Sequence, residues 1–190
     1  MEKKPIAAGK SSFDVVDSST VLSALELEKG PVLADIASGA GNYAVAAALR
    51  MAEGGRIFAF DLWKEGIEEL GRRVTEGGLS NLTAGVADVS KRIPLEDNSV
   101  DICLIATALH DLIEEKAGEG ALREAARVLR PGGRLVIVEF KKVEGPPGPP
   151  RRIRLSPEEL DEIVKPFGFE KKHTIDTGDY TYLSKYILRT

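Results

Sequence analysis

The chain contains no glutamine, a single cysteine, Cys103, and two histidines, His110 and His173, among its 190 residues. One cysteine forms no internal disulfide, and two histidines with one thiol make no obvious zinc-ligand set, so the sequence predicts neither a disulfide scaffold nor a metal centre. Also absent is any run of the roughly 18 uncharged apolar residues that a membrane span needs. The basic start, Met1-Glu2-Lys3-Lys4-Pro5, is followed by no apolar signal core. Together these absences predict a cytoplasmic protein. Nor is there an excess of positive charge: 26 Lys and Arg face 30 Asp and Glu, a net charge of −4. Nucleic-acid binding relies on many cation–phosphate contacts, so a nucleic-acid partner is not expected. The lack of glutamine beside abundant Glu, Lys and Arg is compatible with a thermophilic source. What remains, 43% hydrophobic and 29% charged residues, is the composition of one globular domain.

Along the chain, helical and extended patterns alternate. Residues 1–16 lack periodicity and read as a flexible arm with Phe13 as its large apolar anchor, able to cover a pocket; residues 17–190 read as a single domain. Ser18 and Ser19 are candidate caps for a short helix that ends at Lys29-Gly30-Pro31. Strands are predicted at Val32 to Ile36, Arg56 to Asp61, Leu82 to Val86, Val100 to Ala106 and Arg134 to Phe140, the second mostly apolar as a strand buried on both faces should be. Between them lie helices over Tyr43 to Met51, Leu62 to Glu76 and Leu122 to Leu129, whereas Thr107 to Asp111 reads as a loop. Arg130-Pro131-Gly132-Gly133 is a sharp turn, and Gly145 to Pro150 is too rich in proline for a helix or inner strand. Ser156-Pro157-Glu158-Glu159 has the residues of a capping box, and Thr177-Gly178-Asp179 separates two β-rich runs as a hairpin would. The pattern predicts an α/β protein in three αβα layers, a doubly wound, mostly parallel sheet closed by a C-terminal antiparallel hairpin strand.

The chemistry gathers at Val32-Leu33-Ala34-Asp35-Ile36-Ala37-Ser38-Gly39-Ala40-Gly41. Strand, glycine turn and helix start place backbone N–H groups where a nucleotide binds. Gly39-Ala40-Gly41-Asn42-Tyr43-Ala44 matches the dinucleotide pattern, and Asp61 stands at about the 20-residue offset of a ribose-binding acid, so a nicotinamide-dependent oxidoreductase fits the spacing. Asp35 argues otherwise. A carboxylate beside the turn repels a pyrophosphate but suits a ligand carrying an ammonium and a sulfonium, which is S-adenosylmethionine.

Asp35 to Gly41 resembles the first motif of the class I, seven-stranded methyltransferases, with Ala37 in place of the motif's first glycine. Asp61 resembles the acid ending the second strand, and Asp88-Val89 the acidic motif near the adenine. Ile93 to Asp101 with Ala108-Leu109-His110-Asp111-Leu112, Arg127 to Leu135, and Ser156 to Leu160 with Gly168-Phe169 are similar to later segments of the ubiquinone/menaquinone-type small-molecule methyltransferases, in the same order. The resemblance implies seven strands, S-adenosylmethionine as cofactor, and cofactor contacts from Asp35, Ala37, Ser38, Gly39, Gly41, Asp61, Leu62, Asp88, Val89, Ala106 and Thr107. Asp61 would take both ribose hydroxyls or serve as a helix cap; Asp88 would accept from the adenine amino group or merely hold a turn. Asp35 would meet the cofactor's amino end or bond backbone N–H groups.

Displacement at a sulfonium requires alignment and exclusion of water rather than a triad or metal. His110 is the candidate base should the acceptor need one. Trp63 reads as packing, Tyr43 stays open, and Arg151, Arg152 and Arg154 form either a solvated charge run or a contact for an anionic substrate. The acceptor is expected to be a small molecule, and the short arm and connector suggest a pocket completed by a homodimer partner or accessory subunit. A non-catalytic protein that only holds the cofactor is the remaining alternative.

Overall fold

The computed structural model describes Gly9 and residues 11–189. The expectation of an arm at residues 1–8 and Lys10 lies outside the described residues. Seven strands form one sheet: β1 (Val32–Ile36), β2 (Arg56–Asp61), β3 (Leu82–Val86), β4 (Val100–Ala106), β5 (Leu129–Phe140), β6 (Phe169–Asp176) and β7 (Thr181–Leu188). Their spatial order is β3-β2-β1-β4-β5-β7-β6. The first five run parallel, and β7 enters antiparallel between β5 and β6. The fold class is as the sequence indicates. Chain order reverses between β1 and β4, and in such sheets the crevice beyond the carboxyl ends at that reversal is the ligand site.

Both faces of the central strands are covered, which is why these strands are apolar without interruption. Ala34, Phe60, Cys103, Ile105 and Ile137 pack on the side of α4 (Leu109–Glu114), α5 (Gly118–Val128) and α6 (Pro157–Val164). Leu33, Ile57, Ile102, Leu104 and Val136 pack on the side of α1 (Ser18–Ala24), α2 (Asn42–Ala48) and α3 (Lys64–Glu76). Alternation of side chains along each strand feeds the two cores in turn.

Several local expectations change. The cap of α1 is Asp17, whose side chain accepts from the Thr20 N–H at 3.1 Å, rather than Ser18 or Ser19. Residues Thr107 to Asp111 are not wholly loop, since α4 begins at Leu109 and carries His110 and Asp111 in its first turn. The Arg130–Gly133 turn protrudes within β5: Val100 pairs with Leu129, but Ile102 pairs with Arg134, so four residues bulge opposite one. Ser156 and Glu159 form the capping box with Pro157 at the first helical position.

Arg154 corrects both readings offered for it. It is 1% exposed, far from a solvated charge run. Its guanidinium donates to the carbonyls of Lys141, Val143, Gly145, Pro147 and Pro149 at 2.6–3.2 Å and lies 5.6 Å from the Phe140 ring centroid. The proline-rich connector is wrapped around this side chain. Arg151 and Arg152 remain at the surface, paired with Glu144 and Glu114.

Candidate functional site

A cavity of about 270 Å³ opens at the carboxyl ends of β1, β2 and β4. Of the anticipated cofactor residues, Ala37, Ser38, Gly39, Asp61, Leu62, Val89, Ala106 and Thr107 line it. Asp35, Gly41 and Asp88 do not, and each has a different reason.

The turn after β1 is shaped by three successive constraints. Ala37 sits at φ +58°, in the left-handed region, where a side chain costs roughly 1–2 kcal/mol. Glycine would avoid that cost, and alanine brings the smallest side chain to the position. The Ser38 N–H then donates to the Phe60 carbonyl at 3.0 Å, tying the turn to β2. Gly39, at φ +57°, leaves open space where a Cβ would stand, the condition for close approach of a ligand to backbone. Gly41 serves packing instead: a Cβ there would fall 2.5 Å from Leu70, so the missing side chain lets α2 meet α3. Arg73 fastens the far side, donating to the Ala40 carbonyl and to Asn42 Oδ1, both at 2.8 Å.

Asp61 holds the turn from β2. Its carboxylate accepts from the Gly39 N–H at 2.8 Å and from the Trp63 N–H at 2.7 Å. Burial raises its pKa, opposed by the backbone N–H groups of Trp63, Gly39 and Leu62. α3 has Trp63 at its N-cap with no side-chain cap hydrogen bond, so Asp61 is not the helix cap; it braces the turn, and the carboxylate's remaining acceptor capacity leaves room for a ligand. Asp88 is engaged in its own turn, with Oδ1 accepting from the Ser90 N–H and hydroxyl and Oδ2 paired to Lys91. Its neighbour Val89 is the residue that reaches the cavity.

Asp35 lies beneath the turn, 2% exposed. Burial, the nearby Asp61 charge and little compensation beyond the Ala44 N–H raise its pKa to about 8. Its Oδ2 has no hydrogen-bond partner, and neither does Ser38 Oγ. Of the two, Ser38 lines the cavity, and a hydroxyl left unpaired there suits a ligand that brings an N–H donor. S-adenosylmethionine fits these residues on that ground.

His110 is not placed at the cavity. It is 3% exposed, with Nδ1 at 2.7 Å from Glu139 Oε2 and Nε2 at 3.4 Å from Asp111 Oδ2. The His110 N–H also donates to Glu139 Oε1 at 3.1 Å. Burial opposes a charge on the ring, but hydrogen bonds and attraction from Asp111 and Glu139 prevail and raise its pKa to about 10. An imidazolium held between two carboxylates has no lone pair with which to take a proton. Its neighbour Asp111 does line the cavity, with Leu112 of the same helix and Glu115, the residue that follows its end.

The described end of the expected arm reaches the cavity. Ser11 and Ser12 lie over the mouth, where Ser12 Oγ meets Thr107 Oγ1 at 2.6 Å and Ser11 Oγ accepts from Asn42 at 2.9 Å. Phe13 packs edge-on against Tyr43 with ring centroids 5.0 Å apart. Thr107 stands at φ +52°, an outlier for a β-branched residue and the kind of strain that gathers at functional sites. Helical spacing of Asp111, Leu112 and Glu115 was the available signal for α4, obscured by reading its first turn as loop.

A doubly wound sheet in this strand order, with acid-ended β1 and β2 flanking a glycine turn, defines a class I methyltransferase fold. The methyltransferase-domain family Methyltransf_11 matches residues 34–137, and the chain belongs to it. This decides between the two cofactors the turn left open, in favour of S-adenosylmethionine. The ubiquinone/menaquinone biosynthesis C-methyltransferase UbiE of Bordetella avium is 36% identical over 121 residues, 63% of this chain and 45% of that protein. The chain thus spans about half the length of the curated relatives it matches. A S-adenosylmethionine-dependent methyltransferase of Aquifex aeolicus superposes with a TM-score of 0.84 at 29% identity, covering 94% of this chain and 93% of its own. At 18% identity and a TM-score of 0.72, covering 94% and 92%, the structure of a complex between the Haloferax volcanii Trm112 methyltransferase activator and a methyltransferase shares the fold.

Proposed function

We propose that the protein transfers a methyl group from S-adenosylmethionine to a small-molecule acceptor by direct in-line displacement. The observation that carries this reading is the Ser38–Gly41 turn held against Asp61, open on the cavity side at Gly39, with the Ser38 hydroxyl unpaired. When bound, the cofactor supplies an electrophilic methyl on a cationic sulfur leaving group. The protein contributes position and dryness. Asp61 is assigned to the ribose hydroxyls, the Gly39 region to the cofactor's backbone approach, Leu62 and Val89 to the apolar adenosine surface, and Ala106 and Thr107 to the end of the site towards the acceptor. Ser11 and Ser12 cover it. His110 is assigned to holding α4, in place of proton abstraction.

No helix among the described residues is long and apolar enough to cross a membrane, which supports a cytoplasmic location as part of the proposal. The proposal also includes a second subunit, either a copy of the chain or an accessory protein, and the activator complex formed by a protein of the same fold supports it. Calorimetric titration with S-adenosylmethionine and with S-adenosylhomocysteine tests the reading. Saturable binding is expected, and binding of NADH in its place would overturn it. Light scattering with and without cofactor measures the oligomeric state.

A further inference from the structure

We propose that the described part of the arm, Gly9 and residues 11–16, is a strap that gates the cavity. It is hinged at Asp17 and latched by Ser12 on Thr107, and it opens to pass S-adenosylmethionine and its product. The proposal rests on the methyl-donor reading above.

The root of the strap is fixed. Val16 is buried in the same core as Leu22 and Leu183. The Val15 and Val16 N–H groups close a turn on the Ser12 carbonyl at 2.9 and 3.1 Å, and the Asp17 N–H donates to the Thr177 carbonyl, between β6 and β7, at 2.6 Å. From Phe13 towards the tip the holds change in kind. Ser12 Oγ lies 2.6 Å from Thr107 Oγ1, and Ser11 Oγ accepts from Asn42 Nδ2 at 2.9 Å. Phe13, half-buried, rests edge-on against Tyr43, whose hydroxyl lies by the same Ser12 side chain. Gly9 lies against the Trp63 ring, where a Cβ would stand 3.8 Å from Cη2. Hydroxyl bonds exchange with water at little net cost, whereas the root would give up buried apolar contact and a main-chain bond to the sheet. The strap therefore releases at its tip before its root.

The holds fall on opposite sides of the mouth. Thr107 follows β4, Trp63 follows β2, and β1 lies between those two strands in the sheet. The strap thus crosses above the glycine turn, over the place assigned to the cofactor. Its receiving residue is held still: Thr107 stands at φ +52° and its N–H donates to the Val138 carbonyl at 2.7 Å. Such backbone strain persists where the surroundings over-determine it, so a movable hydroxyl on the strap meets a stationary one on the sheet. Closure excludes water from the displacement, and opening admits and releases the ligand.

The test follows S-adenosylhomocysteine on the full chain by stopped-flow fluorescence of Trp63, the chain's one tryptophan and a residue of the cavity wall. A gate acts on passage in both directions, whereas a ligand contact acts on dissociation. In Ser12→Ala/Phe13→Ala the association and dissociation rate constants are expected to rise together by about tenfold, with Kd held within about threefold. A rise in dissociation alone overturns the proposal, because the two residues would then be ordinary ligand contacts. Unchanged rates also overturn it, since the ligand would then pass beside half-exposed Leu62. The converse variant is Ser12→Cys/Thr107→Cys, in which the short Oγ–Oγ distance places two thiols within bonding reach. The buried Cys103 does not compete. With this bridge formed, exchange of bound S-adenosylhomocysteine is expected to slow at least about a hundredfold and to recover on reduction with dithiothreitol; equal exchange in both forms overturns the gate. Failure of the unaltered protein to bind S-adenosylhomocysteine removes the donor reading itself, a result distinct from binding with ungated kinetics.

Discussion

Replacing Asp35 by asparagine isolates the free-energy cost of keeping a carboxyl group under the cofactor turn. In the folded protein this group is buried and its pKa is about 8, against 3.8 for an ordinary aspartate. The folded state therefore binds a proton that the unfolded chain releases. Stability from this proton is complete below the unfolded value and is lost as pH rises through the folded one. At 1.36 kcal/mol per unit, the decline between pH 5 and pH 8 is on the order of 4 kcal/mol. Asparagine keeps an oxygen for the Ala44 N–H and does not ionise, so Asp35→Asn lacks this decline. It also places an amide nitrogen where Oδ2 now lacks a partner, a pH-independent cost of about 1–3 kcal/mol. Urea unfolding of both proteins from pH 5 to pH 9 separates the two effects. The variant is expected to be the less stable protein at pH 5 and to gain on the original by about 4 kcal/mol at higher pH. A stability difference that stays constant across this range would refute the argument, since Asp35 would then ionise in the folded state as readily as in the unfolded chain.

Asp61→Ala removes the acceptor for the Gly39 N–H and the proposed ribose ligand, and calorimetry should show cofactor affinity reduced about tenfold or more; unchanged affinity sinks the assignment. Ala37→Gly relieves the left-handed strain at the cost of a freer unfolded chain, for a net stabilisation of about 0.5–1 kcal/mol in denaturant titration, and a destabilised variant would contradict the strain argument. Glu139→Gln strips His110 of its buried partner and is expected to destabilise the protein by about 3–5 kcal/mol. The stability that His110 contributes is present in full below pH 6.5 and lost as pH rises towards its folded value of about 10. In the variant, the NMR-detected titration of the imidazole should move towards neutrality. Arg154→Lys gives up the planar fork that serves five carbonyls, and the 141–154 segment should become the first site of limited proteolysis.

Much of the architecture was legible in the residues because strands buried on both faces announce themselves as apolar runs. β2, β3 and β4 begin and end where composition indicates, each bounded by a glycine, an acid or a turn. Helix ends were less legible. α4 has Ala108 at its N-cap with no side-chain cap and only six residues, so neither a start signal nor a sustained period marks it. That omission led to His110 being read as a loop base, when its burial against Glu139 depends on a residue 29 positions away. The glycine turn was legible as a cofactor site, but not the division of labour within it. Gly39 leaves room for a ligand, while Gly41 answers to Leu70, a long-range contact that motif spacing does not encode. Arg154 shows the same limit: three nearby arginines look alike in sequence, and only the wrapping of the chain distinguishes the buried one.

The shell around Arg154 resembles a crown ether closed about its own cation. Its five oxygens are all main-chain carbonyls, with no carboxylate in the set. Because the ligating atoms belong to the backbone, Lys141 and Val143 are free to vary in side chain so long as the path of the chain is kept, whereas Gly145, at φ +88°, is not. One arginine thereby makes a proline-rich stretch into a fixed wall of the fold, and substitution along that stretch should be tolerated least at position 154 and at Gly148, where a Cβ would fall 2.5 Å from Phe140.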